Sequence, residues 1–192
     1  MVRFIFIIYL VLIKQSIGEE VLFENFIKNP EKKWEFISDQ VMGGESDGKI
    51  QFVKEDDKSF ARMTGIVSLE NNGGFIQIRK KLDYSLSKDS KAIKIEVRGN
   101  NQEYFIHIRT SGTILPWQYY QAPFSATNVW AIQNIKFEEF KRSGIMLAKK
   151  INPKNIKSIA IVAYGKEPVS YTHLRAHETK ANRVCRLLRE KK

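Results

Sequence analysis

The sequence predicts an all-β sandwich, and three observations carry that prediction. Apolar and polar residues alternate with a period of two, most cleanly in Ala92-Ile93-Lys94-Ile95-Glu96-Val97-Arg98, where Ile93, Ile95 and Val97 face one way and the charged residues the other. Turn-forming groups separate the alternating runs: Asp47-Gly48, Asp56-Asp57, Asn72-Gly73, Gly99-Asn100-Asn101 and Ser111-Gly112. Helix signals are sparse, Asn152-Pro153 being the one good start, an N-cap residue followed by proline at the first helical position.

Trp34-Glu35-Phe36 and Ile50-Gln51-Phe52 alternate like half-buried strands. Phe75-Ile76-Gln77-Ile78 follows Asn72-Gly73, a pair that signals a tight hairpin between apolar runs. Tyr104-Phe105-Ile106-His107-Ile108-Arg109 alternates again, and Ile159-Ala160-Ile161-Val162-Ala163 is apolar on both faces, as a central strand is. A short helix is expected over residues 137–142 and about one helical turn after Asn152.

The 192-residue chain fits one domain once its ends are set apart. Met1-Val2-Arg3, the apolar run Phe4–Ile13 and Ser16-Ile17-Gly18 match the basic start, apolar middle and small-residue cleavage site of a secretory signal. Residues 1–18 are therefore expected to be a signal peptide or membrane tether that exports the domain to the periplasm or beyond. The alternative is a mitochondrial transit peptide, which would be richer in Arg and Ser. The apolar run falls short of the roughly 20 residues a membrane-spanning helix needs. At the other end, residues 169–192 resemble one translated frame of a sequencing-library adapter and are expected to be an artefactual basic tail outside the fold. The alternative is a basic amphipathic helix with Leu174, Ala181, Val184, Leu187 and Leu188 near one face. The domain itself is expected over residues 19–168.

The whole chain holds 32 basic and 21 acidic residues, net +11. The tail contains seven of the basic and two of the acidic residues and the leader contains Arg3 and Lys14, leaving 23 against 19, net +4, over residues 19–168. No basic stripe remains to bind nucleic acid. The single cysteine, Cys185, lies in the tail, so the body has no disulfide, thiolate metal site or cysteine nucleophile. His107 is the only histidine between residues 19 and 168, and no base–orienter partner or His-x-His spacing accompanies it. No phosphate-cradling Gly-x-x-x-x-Gly-Lys occurs. Glu55-Asp56-Asp57 reads as a solvated turn rather than a calcium site, which draws oxygens from several loops. The expectation is a domain with no enzymatic activity, no catalytic residues, no metal and no cofactor.

Two glycine pairs stand out. Ser38-Asp39-Gln40-Val41-Met42-Gly43-Gly44-Glu45-Ser46 is echoed by Leu69-Glu70-Asn71-Asn72-Gly73-Gly74-Phe75. Paired glycines mark backbone at positive φ or in close approach to another group. The first pair, flanked by an acid, a thioether and a hydroxyl, reads as a binding edge. With Trp34 ahead of it and Gly65, Ser68–Phe75, Val97-Arg98-Gly99, Tyr104, Arg109, Tyr120-Gln121-Ala122-Pro123-Phe124, Trp130 and Phe140 after it, the chain resembles the complex I intermediate-associated protein 30 family over roughly residues 22–167. The resemblance implies a jelly-roll β-sandwich of the galactose-binding type. It also implies a role like that of eukaryotic members, which are assembly chaperones for NADH:ubiquinone oxidoreductase. Members continue past the Ile159–Ala163 strand into one more strand, so this chain is expected to lack its last strand and to expose a sheet edge. That strand would bury about three large side chains, roughly 5–9 kcal/mol in all.

The binding candidates follow from both readings. Asp39, Met42, Gly43, Gly44 and Ser46 form the glycine loop. Arg79, Arg98 and Arg109 point away from the apolar faces of their strands and, if those strands adjoin, line one sheet face with flat donor forks. The alternatives are a charged outer face or a structural ion network. Arg98 and Arg109 fall on positions of the family pattern. Trp117, Tyr120 and Gln121 complete the set; alternation puts Trp117 and Tyr119 on one face and Tyr120 on the other. The first function expected is a protein-binding, assembly-chaperone-like module, its partner a respiratory-complex subunit or assembly intermediate. The alternative is an exported carbohydrate-binding module stacking sugars on Trp117 or Tyr119. Nucleic acid is not expected as a partner, and a membrane only through the N-terminal segment.

Overall fold

The computed structural model describes residues 20–56, 58–72, 74–165 and 179–190. Two antiparallel sheets enclose a single apolar core. The first sheet runs β3 (Asp47–Glu55), β4 (Lys58–Val67), β12 (Thr179–Glu190), β6 (Ala92–Arg98) and β9 (Ala131–Lys136), with β1 (Glu20–Leu22) also paired to β12. The second runs β10 (Lys141–Arg142), β8 (Tyr120–Ala126), β7 (Gln102–Thr110), β11 (Ile156–Tyr164), β5 (Phe75–Lys81) and β2 (Trp34–Ser38).

The alternation seen in the sequence is what divides core from surface. Ile76 and Ile78 of β5, Tyr104, Ile106 and Ile108 of β7 and Ile159 and Ile161 of β11 turn inward. They meet Met63, Ile93, Ile95 and Val97 of the first sheet. Each such buried side chain contributes about 1.5–3 kcal/mol. The intervening residues of β5, β7 and β11 form the outer face of the second sheet.

Three expectations meet a different structure. Asn72-Gly73 does not close a hairpin, because β4 and β5 belong to different sheets; the connection carries the chain across the sandwich. Over residues 137–142 there is only a single 3₁₀ turn, Phe137–Glu139, before the short strand β10. The turn after Asn152 forms as expected, its side chain accepting the Lys154 N–H at 3.1 Å.

The third difference is the open edge. Residues 179–185 pair with β4 and residues 184–190 with β6, so β12 occupies the middle of the first sheet although residues 169–192 were expected to lie outside the fold. The reason is physical. β4 and β6 present two facing rows of unpaired backbone groups, and an extended strand between them satisfies both.

The segment ahead of β2 is anchored by an ion pair. Lys80 Nζ lies 2.7 Å from Glu24 Oε2 and both side chains are nearly inaccessible to solvent. The Trp34 indole N–H and the Phe26 amide donate to the same carboxylate at 3.3 and 3.0 Å. Burial pushes the Glu24 carboxyl up, but Lys80, the Phe26 amide and Lys33 together hold it below its ordinary value.

Candidate functional site

The glycine loop is a structural clasp. β2 ends at Ser38 and a 3₁₀ turn spans Asp39–Met42, closed by Gly43 at φ 87°. That left-handed conformation suits glycine. Asp39 is fully buried. Its carboxylate accepts the Ser46 amide at 2.9 Å, the Ser46 hydroxyl, the Gly74 amide and, at 3.3 Å, the Phe75 amide. The Ser68 amide donates to Ser46 Oγ at 3.0 Å. The two glycine motifs are therefore tied to each other. Burial alone would raise the Asp39 pKa, but the hydroxyl and amide donors outweigh it and hold the carboxyl below the usual range. Asp39 and Ser46 were expected to face a partner; both point inward and are spent on this network. Gly43 and Met42 remain exposed and Gly44 is half-buried.

The three arginines do not form one group. Arg79 and Arg109 share the outer face of the second sheet, separated by β11, on which Ala160 pairs with Arg79 and Ser158 with Arg109. Burial lowers the Arg109 pKa and the charge of Arg79 lowers it further. Arg98 instead lies on β6 in the first sheet, 3.5 Å from Glu55 and stacked over Trp130 at 5.2 Å. Its side chain points outward from its strand as the alternation requires, but from the other sheet. Glu55 is also held by Arg62 at 2.8 Å. Among the described residues no three His, Cys, Asp or Glu side chains are placed to hold a metal ion.

One row crosses the outer face of the second sheet: Gln121 on β8, His107 on β7, Ala160 on β11, Arg79 on β5 and Glu35 on β2. Ala160, the smallest side chain of the row, sits between His107 and Arg79. Arg79 reaches Glu35 at 3.0 Å, while its Nε is buried without a hydrogen-bond partner. Tyr119 stacks on His107, ring centres 4.0 Å apart and planes 11° from parallel. The Tyr164 hydroxyl lies 3.1 Å from His107 Nε2, and Phe105 meets the Tyr164 ring edge-on at 5.3 Å. Glu103, Phe105, Tyr119, Gln121, Tyr164 and Gly165 line an open pocket of about 440 Å³. Burial drives His107 down from 6.5 to about 4, against the opposing effect of its bond to Gln121. Burial, with Tyr119 beside it, pushes the Tyr164 phenol well up. At neutral pH both are uncharged, and the face offers flat rings and neutral hydrogen-bonding groups beside the carboxylates of Glu35 and Glu103 and the guanidinium groups of Arg79 and Arg109.

Of the residues singled out in the sequence, Arg79, Arg109 and Gln121 come together on this face, and Tyr119, the candidate for sugar stacking, joins them. Tyr120 turns into the core and bonds the Ala148 carbonyl at 3.0 Å. Trp117 stands 67 % exposed in the loop between β7 and β8. Sequence reasoning did not assign Tyr164, Phe105 and Glu103. Period-two phasing marks each as outward-facing, but only the β8-β7-β11 neighbour order joins them.

Solved structures share this architecture. A family 11 carbohydrate-binding module of a cellulosomal cellulase of Clostridium thermocellum superposes with a TM-score of 0.68 at 12 % identity, over 92 % of this chain and 97 % of that one. An agarase superposes with a TM-score of 0.56 at 9 % identity, over 91 % of this chain and 25 % of the agarase. At these identities the likeness is one of fold: the galactose-binding-like jelly roll. No curated protein sequence matches the chain. The profile described as complex I intermediate-associated protein 30 matches residues 23–173, well over half the chain and including both clasped glycine motifs, so the chain belongs to the complex I intermediate-associated protein 30 family.

Proposed function

We propose that the domain is a non-catalytic recognition module, an assembly-chaperone-like protein that holds a protein partner against the outer face of its second sheet. The family's name points to an intermediate of complex I as the class of partner. The observation that carries this reading is the row Gln121, His107, Ala160, Arg79 and Glu35, with Tyr119 stacked above it. Tyrosine and arginine on a rigid surface are the residues that dominate protein interfaces. A photo-crosslinking residue at position 121 tests it. One defined protein should be captured, and Arg79→Ala or Tyr119→Ala should abolish its capture; capture unaffected by either variant defeats the reading.

An oligosaccharide is the second reading. The pocket favours it, since ring faces from Tyr119 and Tyr164 sit beside the polar ends of Gln121 and Glu103, the combination that grips sugar rings. A related fold has been solved with a β-1,3-1,4-mixed-linked tetrasaccharide. A glycan array decides between them: binding lost in Tyr119→Ala supports the sugar, and a blank array removes it.

A further inference from the structure

At one end of the second sheet two connections lie side by side. The β7–β8 loop, residues 111–119, and the β10–β11 loop, residues 143–155, are tied at both ends. The Ser143 amide donates to the Tyr119 carbonyl at 2.9 Å, Ser143 Oγ to the Trp117 carbonyl at 3.1 Å, and the Ser111 amide to the Asn155 carbonyl at 2.8 Å. Each loop is also braced by an arginine. Arg109 donates to the Leu115 carbonyl at 2.8 Å, and Arg142 to the Ile145 and Leu147 carbonyls at 2.9 and 2.6 Å. These bonds fix the backbone and leave the side chains at the tips without cover. Ile114 is 84 % exposed, Ile145 87 % and Met146 85 %, and Trp117 on the first loop is exposed too. Burying such side chains in the core would be favourable, so their display on two rigid loops needs a counterpart.

The surrounding charge says which. Residues 141–157 contain six basic residues and no acidic one, and residues 109–119 contain Arg109 and no acidic one. Lys149, Lys150 and Lys154 are all exposed on the second loop. Exposed apolar tips with a tryptophan among them, on loops that carry lysines and no acids, fit a soft apolar layer under an anionic surface better than they fit a shaped pocket.

We propose that this loop pair inserts into the interface of an anionic lipid bilayer, with Ile114, Ile145, Met146 and Trp117 entering the headgroup boundary and Lys149, Lys150 and Lys154 meeting lipid phosphates. The contact adds to any made by the N-terminal segment and is separate from the sheet-face row. Co-sedimentation of the full chain with vesicles tests it. The chain binds vesicles containing about 30 % phosphatidylserine more strongly than pure phosphatidylcholine, and binding weakens with salt as surface charge is screened. Ile145→Ser/Met146→Ser lowers the partition coefficient at least about tenfold; the native residues are so exposed that the fold has nothing to lose. Lys149→Ala/Lys150→Ala lowers it several-fold and flattens the salt dependence. Arg79→Ala, which alters the sheet face, leaves it unchanged, so this result and the partner-capture result stand or fall separately. No sedimentation at physiological salt, equal binding to neutral vesicles, or equal binding by the Ile145→Ser/Met146→Ser variant overturns the proposal. In the last case the tips would serve a protein partner.

Discussion

The α-carbon of Gly44 is packed against the carboxylate of Asp39 so closely that a Cβ at residue 44 would lie 2.4 Å from Asp39 Cγ. The glycine makes room for the buried acid, and the acid gathers Ser46, Gly74 and Phe75 around itself. A Cβ at Gly43, by contrast, would meet nothing within 4 Å, and only the positive φ disfavours a side chain there.

The two glycines should therefore respond differently to alanine. Gly43→Ala costs about 1 kcal/mol through its left-handed backbone. Gly44→Ala costs about 3 kcal/mol, because either the Asp39 side chain or the loop must move. Asp39→Ala costs at least as much, since it leaves several buried donors without an acceptor. Denaturant melts of the three variants check the order. Equal losses at residues 43 and 44 would mean that the contact with Asp39 is unimportant.

Acid should weaken the fold in two separable steps, and His107 supplies the first. Its folded pKa, about 4, lies below the ordinary 6.5, so the unfolded chain takes up the proton first. This stability is complete above pH 6.5 and declines as pH falls from there to about 4, a loss of roughly 3 kcal/mol. Below that the loss is constant. Asp39 and Glu24 supply the second step. Their folded pKa values lie below the ordinary 3.8 and 4.5, so their contributions are complete above those values and are lost as pH falls further, through the folded pKa values. His107→Gln removes the step between pH 6.5 and 4 and leaves the one below. Urea titrations at half-unit pH intervals measure both. A pH-independent midpoint between 6.5 and 4 in the native chain would contradict the burial of a neutral His107.

The strands were legible in the sequence because each buries one face, and burial on one face writes a period of two. The clasp was not, because its polarity is inverted: Asp39 is buried while Val41 and Met42 are 72 % and 69 % exposed. An acid beside two glycines looks like a surface site until its four donors are located, and those come from residues up to 36 positions away. The arginine face was half legible. Phasing shows that Arg79, Arg98 and Arg109 all point outward, but it does not show from which sheet. The row from Gln121 to Glu35 crosses five strands in the order β8, β7, β11, β5, β2, of which only β7 and β8 are consecutive. Sequence adjacency could not assemble it.

The Glu24–Lys80 pair should behave as a coupled unit. Lys80→Met leaves the Glu24 carboxylate buried with the Trp34, Phe26 and Asn25 donors and the more distant, exposed Lys33, and Glu24→Gln leaves the Lys80 ammonium against the Phe23 ring, 4.6 Å from its centre. Breaking a buried pair from either side costs about 3–5 kcal/mol. The double variant should cost clearly less than the sum of the singles, because no uncompensated charge then remains. A double-mutant cycle by chemical denaturation provides the measurement, and additive losses would show that the two charges are not paired in solution.

The centre of the first sheet gives the most direct test of the fold. β12 offers seven residues to β4 and seven to β6, so a chain shortened to end at Gly165 loses both ladders at once and leaves two open edges facing each other across an empty slot. The apolar residues lining that slot, among them Met63, Ile95 and Val97, would lose the cover of the strand between them. Such a chain should bind a hydrophobic dye, melt over a broad range and form oligomers, because exposed strand edges recruit strands from other molecules. A synthetic peptide of residues 179–190 added in trans should restore a sharp melt if the slot accepts a free strand. If instead the shortened chain remains monomeric with an unchanged midpoint, β12 contributes nothing to the native sheet, and residues 169–192 stand outside the fold, as their sequence suggested.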